Sequence, residues 1–279
     1  MHAAAGSWSY RCCGGCKSVR AVPQPSDAGL DIAYARSYAP YSDKPSLIER
    51  LAQPLTRREA SKVVQTADSD GLLVDVGCGA GAMLGRLRDA GWNGPMRGVE
   101  PSSEAAERAA RQIGVQVDVA PIEALPLAPG SASAIVLRHV IEHVRDPLAV
   151  LASLHEALAP GGILYLATPD RRALAERAFR RHWHGYDPPR HLYAFTSDGV
   201  QAMLSKSSFE LVEERWDYAP QMWAASLHHR LADSPLARWA NPLSSLFNPF
   251  VGAACAMLGL VEVVAHRSTM YGAIARRVG

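Results

Sequence analysis

Three glycines at alternate positions constrain this chain more than any other feature. The segment Gly71-Leu72-Leu73-Val74-Asp75-Val76-Gly77-Cys78-Gly79-Ala80-Gly81 runs an apolar stretch into an acidic residue and then into the glycines. Ala82-Met83-Leu84-Gly85-Arg86-Leu87 follows with a helical pattern. This reads as a buried strand, a sharp turn and a helix N-terminus. The turn requires glycine because the backbone must reverse tightly and come close to a ligand. Met96-Arg97-Gly98-Val99-Glu100 reads as the next strand and ends on a second acidic residue, placed to accept hydrogen bonds from ribose hydroxyls.

The turn by itself fits two ligand classes. Gly77, Gly79 and Ala82 satisfy the G-x-G-x-x-G/A dinucleotide fingerprint, so an NAD(P)-dependent oxidoreductase is one reading. Asp75 argues against it: a carboxylate ahead of the turn repels a pyrophosphate and suits a cationic ligand. Downstream, Leu158-Ala159-Pro160-Gly161-Gly162 opens a strand, Ile163-Leu164-Tyr165-Leu166-Ala167. Together these motifs resemble, in order and from about Gly71 to Phe209, those of the class I S-adenosylmethionine (SAM)-dependent methyltransferases. The resemblance implies an α/β Rossmann-like fold, a mostly parallel sheet with helices on both faces and an antiparallel last strand. It also implies SAM as cofactor. A non-catalytic partner protein on the same fold is a further alternative, against which the intact Asp75, glycines and Glu100 argue.

Composition narrows the setting. At 279 residues and 48% hydrophobic the chain can bury a large core, in one to two domains. A net charge of +2 gives no electrostatic footprint for nucleic acid. The first twenty residues hold no continuous apolar stretch, and the five cysteines form no disulfide framework, so a reducing cytoplasm is expected. The longest apolar stretch, from Pro249 to Ala265, is short for a membrane span and holds Glu262. It reads as a buried or interface helix, compatible with peripheral membrane contact through 247–265. Oligomeric state is not encoded in these patterns.

Strands are expected near 72–76, 96–100, 115–119, 133–138 and 163–168, with helices near 81–90, 102–113, 146–159 and 171–182. This alternation predicts a parallel sheet. Ser102 or Ser103 caps the second of these helices and Gly114 stops it. Thr196-Ser197-Asp198 caps another helix to about Ser207, Phe209 to Trp216 alternates like a strand, and Tyr271 to Arg276 fits the last strand. About fifty residues separate these two strands, far more than a hairpin needs. The expected organisation is an N-terminal extension over 1–45, a SAM-binding domain over 46–219, a helical cover over 220–268 and the last strand over 269–279.

The resemblance distributes roles over particular residues. It implies that Asp75, Gly77, Cys78, Gly79 and Gly81 hold the amino-acid half of SAM, with Asp75 orienting the ammonium. Glu100 would take the ribose hydroxyls and Pro101 would shape the following turn. Ala120-Pro121-Ile122-Glu123-Ala124-Leu125-Pro126-Leu127 resembles the adenine-side motif, which points to Ile122 and Glu123. Many family members are acidic where this chain has Pro121. Arg138 completes the cofactor-facing set. His139-x-x-Glu142-His143 fits the H-x-x-E-H metalloprotease pattern, but that chemistry requires a helix and a third ligand. The run Glu142-His143-Val144-Arg145-Asp146-Pro147 resembles instead the E-H-V-x-D-P segment of the methyltransferases, and no metal is expected.

Trp183-His184-Gly185-Tyr186-Asp187-Pro188-Pro189-Arg190-His191-Leu192 resembles a W-x-G-x-D-P-P-R-H-L motif of the type 23 methyltransferase subgroup. His191 is the candidate base, with His139 next and His143 as a third candidate. The resemblance also covers the N-terminus, where Cys13-Gly14-Gly15-Cys16, Pro23 or Pro25, and Tyr34, Tyr38 and Tyr41 match the second half of a zinc-ribbon-like segment. The first cysteine pair is absent, which implies a truncated ribbon. The implied activity is methyl transfer to a small-molecule or glycan-precursor acceptor, at oxygen.

Overall fold

Consecutive apolar residues bounded by glycine can form strands buried on both faces, and such strands occupy the middle of a parallel sheet. The computed structural model describes residues 8–26, 28–30, 58–246 and 248–279. Strands are numbered β1 to β10 along the chain. One sheet has seven strands in the order β5 (Gln116–Asp118), β4 (Met96–Val99), β3 (Leu73–Val76), β6 (Ala132–Arg138), β7 (Leu158–Pro169), β10 (Met270–Arg277) and β9 (Phe209–Asp217). The pairings β5–β4, β4–β3, β3–β6 and β6–β7 are parallel. The C-terminal strands pair antiparallel, so the sheet is mixed and mostly parallel, the Rossmann-like arrangement that the resemblance implies.

The chain divides into two compact units. One comprises Pro54–Thr168, Val200–Arg215 and Gly272–Gly279 and carries most of this sheet. Every residue of β3 is buried, Asp75 included. Helices Ala82–Asp89, Ser103–Ile113 and Pro147–Ala157 alternate with the strands, and a helix over 58–66 precedes β3. Their ends follow local chemistry. Ser102 accepts from the Ala105 amide, Gly114 takes the left-handed conformation that ends the helix, and Asp146 accepts from the Leu148 and Ala149 amides. The core joins Ala60 and Val63 of the 58–66 helix to Leu73, Leu84, Leu87, Val136 and Ile163. β7 begins at Leu158, earlier than the expected 163, because Leu158 pairs with Ala132 across a register shift before Ile163 meets Ala134.

The other unit comprises Met1–Gln53, Pro169–Gly199 and Trp216–Tyr271. Its described part holds an antiparallel three-stranded sheet in the order β1 (Ser9–Cys12), β2 (Val19–Val22) and β8 (Tyr193–Ala194), which the sequence patterns do not announce. Helices Leu174–Phe179, Pro220–Ala232, Ala240–Ser244 and Pro249–Val264 complete it, around Ala173, Trp183, Trp223 and Cys255. The helix expected over 171–182 is cut to Leu174–Phe179. Arg180 has φ 55, which no continuing helix allows, and single turns of 3₁₀ helix follow. Tyr34, Tyr38, Tyr41 and the 45/46 boundary lie outside the described residues.

Candidate functional site

The glycine turn between β3 and helix Ala82–Asp89 is built from left-handed residues: φ is +74 at Gly77, +53 at Gly79 and +84 at Gly81. The Gly77 and Cys78 amides donate to the Val99 carbonyl at 2.7 and 3.2 Å. The Gly79 amide donates to Glu100 Oε2 at 2.9 Å and the Ser102 amide to Glu100 Oε1 at 3.0 Å. Glu100 therefore clamps the ends of β3 and β4 together. Each of its oxygens keeps a second lone pair for a further donor. A Cβ at Gly77 would strike Val140, and one at Gly81 would come within 2.7 Å of Ile113. A Cβ at Gly79 would meet nothing within 4 Å. Gly77 and Gly81 are thus glycine for packing, whereas Gly79 leaves open a cradle that a side chain would fill.

Asp75 lies at the foot of this turn, 2% exposed, with Oδ2 lacking a hydrogen-bond partner. Burial pushes its pKa up to about 7, with Glu59 and Glu100 adding to the effect and Arg138 and Arg86 opposing it. Glu59, on the 58–66 helix, is also buried. Its Oε1 accepts from Arg138 Nε and from the Tyr165 hydroxyl, both at 2.6 Å, and its Oε2 lies 3.5 Å from Arg86 Nη1. Burial works to raise the Glu59 pKa, but Arg138, the Tyr165 hydrogen bond and Arg86 outweigh it and hold the carboxyl below its ordinary range. Glu59 and Arg86 escape motif reading because they lie outside the turn itself. The available signal is that Glu59 shares a helical face with the buried Val63. Arg138, expected to face the cofactor, commits its Nε to Glu59.

Pro101 is exposed just after Glu100, and Ile122 and Glu123 sit on a single 3₁₀ turn, Ile122–Ala124, beyond β5. Cys78 is buried within the turn, and burial raises its thiol pKa. His139 follows β6 with φ 56, its amide bonded to the Ala167 carbonyl at 2.9 Å. Its Nδ1 lies 3.4 Å from Glu142 Oε1, and Glu142 Oε2 accepts from Thr168 Oγ1 at 2.9 Å. Residues 141–143 form a turn, so His139, Glu142 and His143 lack the helix that a zincin motif requires.

A model of the Methyltransf_23 family, a methyltransferase domain, matches residues 46–214. This chain belongs to that family. That family is one of SAM-dependent methyltransferases. The chain is 35% identical over 109 residues to a ubiquinone biosynthesis O-methyltransferase from Ralstonia nicotianae, covering 37% of this chain and 45% of that protein. The chain spans less than half the length of the curated relatives it matches. Among solved structures, a [4+2]-cyclase is similar with a TM-score of 0.54 at 20% identity, covering 81% of this chain and 83% of that one. A geranyl diphosphate C-methyltransferase from Streptomyces coelicolor, solved with S-adenosyl-L-homocysteine, has a TM-score of 0.54 at 14% identity, covering 82% and 77%. These two likenesses concern the fold alone.

The remaining candidates lie in the chain's other unit. His191 Nδ1 is 2.8 Å from the Gly185 carbonyl, which assigns the proton to Nδ1 and leaves Nε2 as the basic nitrogen. Asp187 Oδ2 lies 3.9 Å from that Nε2 and is gripped by Arg190 through Nε at 2.8 Å and Nη2 at 2.5 Å. His184, half-buried on the same loop, is pushed down to about 4 by desolvation and stays neutral. Cys13 and Cys16 sit at the tip of the β1–β2 hairpin. Among the described residues no third Cys, His, Asp or Glu atom joins them, so the zinc-ribbon part of the resemblance is not shown.

Proposed function

We propose that this chain transfers a methyl group from SAM to an oxygen of a small-molecule or glycan-precursor acceptor. The observation that carries the reading is the buried, unpartnered Asp75 oxygen at the foot of a turn left open at Gly79, in a chain of this family. A carboxylate so placed fits an ammonium, and Glu100 offers its remaining lone pairs to a ribose diol. The glycine backbone from Gly77 to Gly81 would line the amino-acid half, with Pro101, Ile122 and Glu123 on the adenine side. Arg138 and Glu59 would fix the field around Asp75. Bound SAM supplies an electrophilic methyl group on a sulfonium. The protein's task is then to align the acceptor, exclude water and, for a hydroxyl, remove a proton.

Oxygen as the acceptor atom is supported by the name of the Ralstonia relative and by the imidazoles at hand. His191, with a defined basic nitrogen, is the favoured base, His139 the second and His143 the third. Nothing in the net charge suggests nucleic acid as substrate, and a cytoplasmic setting is part of the same proposal. The test is turnover of a metabolite extract with SAM, with methylated products detected by mass. A product that appears with wild type and falls by about 10²–10⁴-fold in His191→Ala, while SAM affinity holds, supports both the activity and the base. If His139→Ala collapses turnover and His191→Ala does not, the base lies after β6. No methylated product from any fraction, with SAM bound normally, would leave a binding protein rather than an enzyme.

A further inference from the structure

Helix Pro249–Val264 is inside out for a water-facing helix. The positions it buries are Gly252, Cys255, Gly259 and Glu262: small residues and an acid. The positions it exposes are large and apolar, with Phe250 at 84%, Met257 at 69% and Val264 at 83%, joined by Leu260 and Val261. A helix at a protein's surface normally shows the opposite pattern. The inward side is specifically built. Gly259 lets the backbone approach Tyr218, where a Cβ would come within 2.9 Å of the ring, and Glu262 Oε1 accepts the Ala175 amide at 2.9 Å. The face turned outward is therefore fixed by packing.

The same apolar character continues through exposed Leu236, Trp239 and Leu243. Between Leu236 and Val264 the charged residues are Arg238 and the inward Glu262. Arg238 places its guanidinium 5.7 Å from the centre of the Trp239 ring. Among the described residues, charge elsewhere on this unit is biased. Arg177, Arg180 and Arg230 are exposed, whereas Asp233 is held by Arg181 and His182 and Glu176 by Tyr186 and Arg171.

We infer that this outward face docks in the plane of an anionic lipid surface. Sixteen residues span roughly 24 Å, short of the roughly 30 Å of a hydrocarbon core, and no single described helix is long and apolar enough to cross a membrane. A large apolar face with a tryptophan and arginine beside it suits the headgroup boundary. A second copy of the chain is the poorer occupant. The face carries Arg238 and no outward acid, so a second copy of it offers that charge no carboxylate, whereas anionic headgroups complement it. This inference does not rest on methyl transfer.

The test is co-sedimentation of the full chain with vesicles of phosphatidylcholine alone and of an equal mixture with phosphatidylglycerol. Wild type is expected to pellet with the mixed vesicles, less so at high salt, and weakly with phosphatidylcholine. The combined variant Phe250→Ser, Met257→Ser, Val264→Ser should lose partitioning by roughly tenfold or more per large side chain withdrawn from lipid. Because all three side chains are exposed, the variant should keep its melting temperature and SAM affinity. Arg238→Glu should weaken binding to the mixed vesicles alone. The inference is overturned if wild type stays in the supernatant with both vesicles, or if the triple variant pellets like wild type. A wild-type dimer in sedimentation velocity that the triple variant converts to monomer, without vesicle binding, gives the face to a second copy instead.

Discussion

Asp75 is a carboxylate kept from water without the partner its charge calls for. Its folded-state pKa, pushed up to about 7, exceeds the ordinary carboxylate value of about 3.9. The folded protein therefore holds this proton more tightly than the unfolded chain does. The stability it confers is complete below the unfolded value and is lost as pH rises through about 7. A ligand ammonium reverses the preference, because it binds the ionised form. SAM affinity is thus expected to rise as pH passes upward through about 7, and Asp75→Asn should flatten that profile and weaken binding. Calorimetry over this range in both proteins decides; an identical slope in the variant would remove Asp75 from the site. Glu100→Ala should weaken SAM binding by about 1–3 kcal/mol, the range for a hydrogen bond to a charged group. Two glycines separate packing from binding. Gly79→Ala points its methyl into open space, so it should cost about 1–2 kcal/mol of stability for the left-handed backbone but lose more in SAM affinity. Gly77→Ala drives a methyl into Val140 and should fall chiefly on stability. Denaturant titration with and without SAM tells the two patterns apart.

At the level of elements, the site rests on a helix that no motif marks. The 58–66 helix supplies Glu59, the counter-charge that Arg138 of β6 and Arg86 of helix Ala82–Asp89 share. Glu59→Gln removes half of a buried pair and leaves two arginines without their carboxylate. Breaking such a pair costs about 3–5 kcal/mol, and urea unfolding should show a loss of that order. A stability change within about 0.5 kcal/mol would mean that the arginines find other partners. The contrast with Asp75 explains what was legible in the sequence. The strands at β3, β4 and β6, the Ser102 and Gly114 caps and the glycine turn each depend on residues adjacent in sequence, and each reads out from local pattern. Glu59 meets Tyr165 across 106 positions, and β2 pairs with β8 across more than the length of the SAM unit's first segment, so neither leaves a local trace. The early start of β7 was hidden for the same reason: Pro160, Gly161 and Gly162 look like a turn, but Leu158 already pairs with Ala132. The C-terminal helix Pro249–Val264 was visible as apolar sequence, yet its inverted exposure follows from which neighbours it packs on, which periodicity alone does not specify.

At the scale of the whole molecule, the chain alternates between its two units, passing from Met1–Gln53 to Pro54–Thr168, on to Pro169–Gly199, back to Val200–Arg215, on to Trp216–Tyr271 and back to Gly272–Gly279. Neither unit is a single segment, but Asp75 and Glu100 lie on the same one, Pro54–Thr168, and come together when β3 and β4 pair. A ligand that needs both binds the native protein and not the unfolded chain, and it stabilises by mass action. At about a hundredfold excess over its dissociation constant, the gain is about 2.7 kcal/mol. For a chain of this size, that corresponds to a rise of roughly 5–10 °C in unfolding temperature. SAM and its demethylated product share the ammonium and the ribose diol, so both should produce the shift. NAD carries a pyrophosphate that Asp75 opposes and should produce none. Differential scanning fluorimetry with the three ligands at equal excess makes the comparison. A shift with NAD and none with SAM would move the glycine turn back to dinucleotide binding, and equal shifts in Glu100→Ala and wild type would place the stabilising contact elsewhere on the molecule.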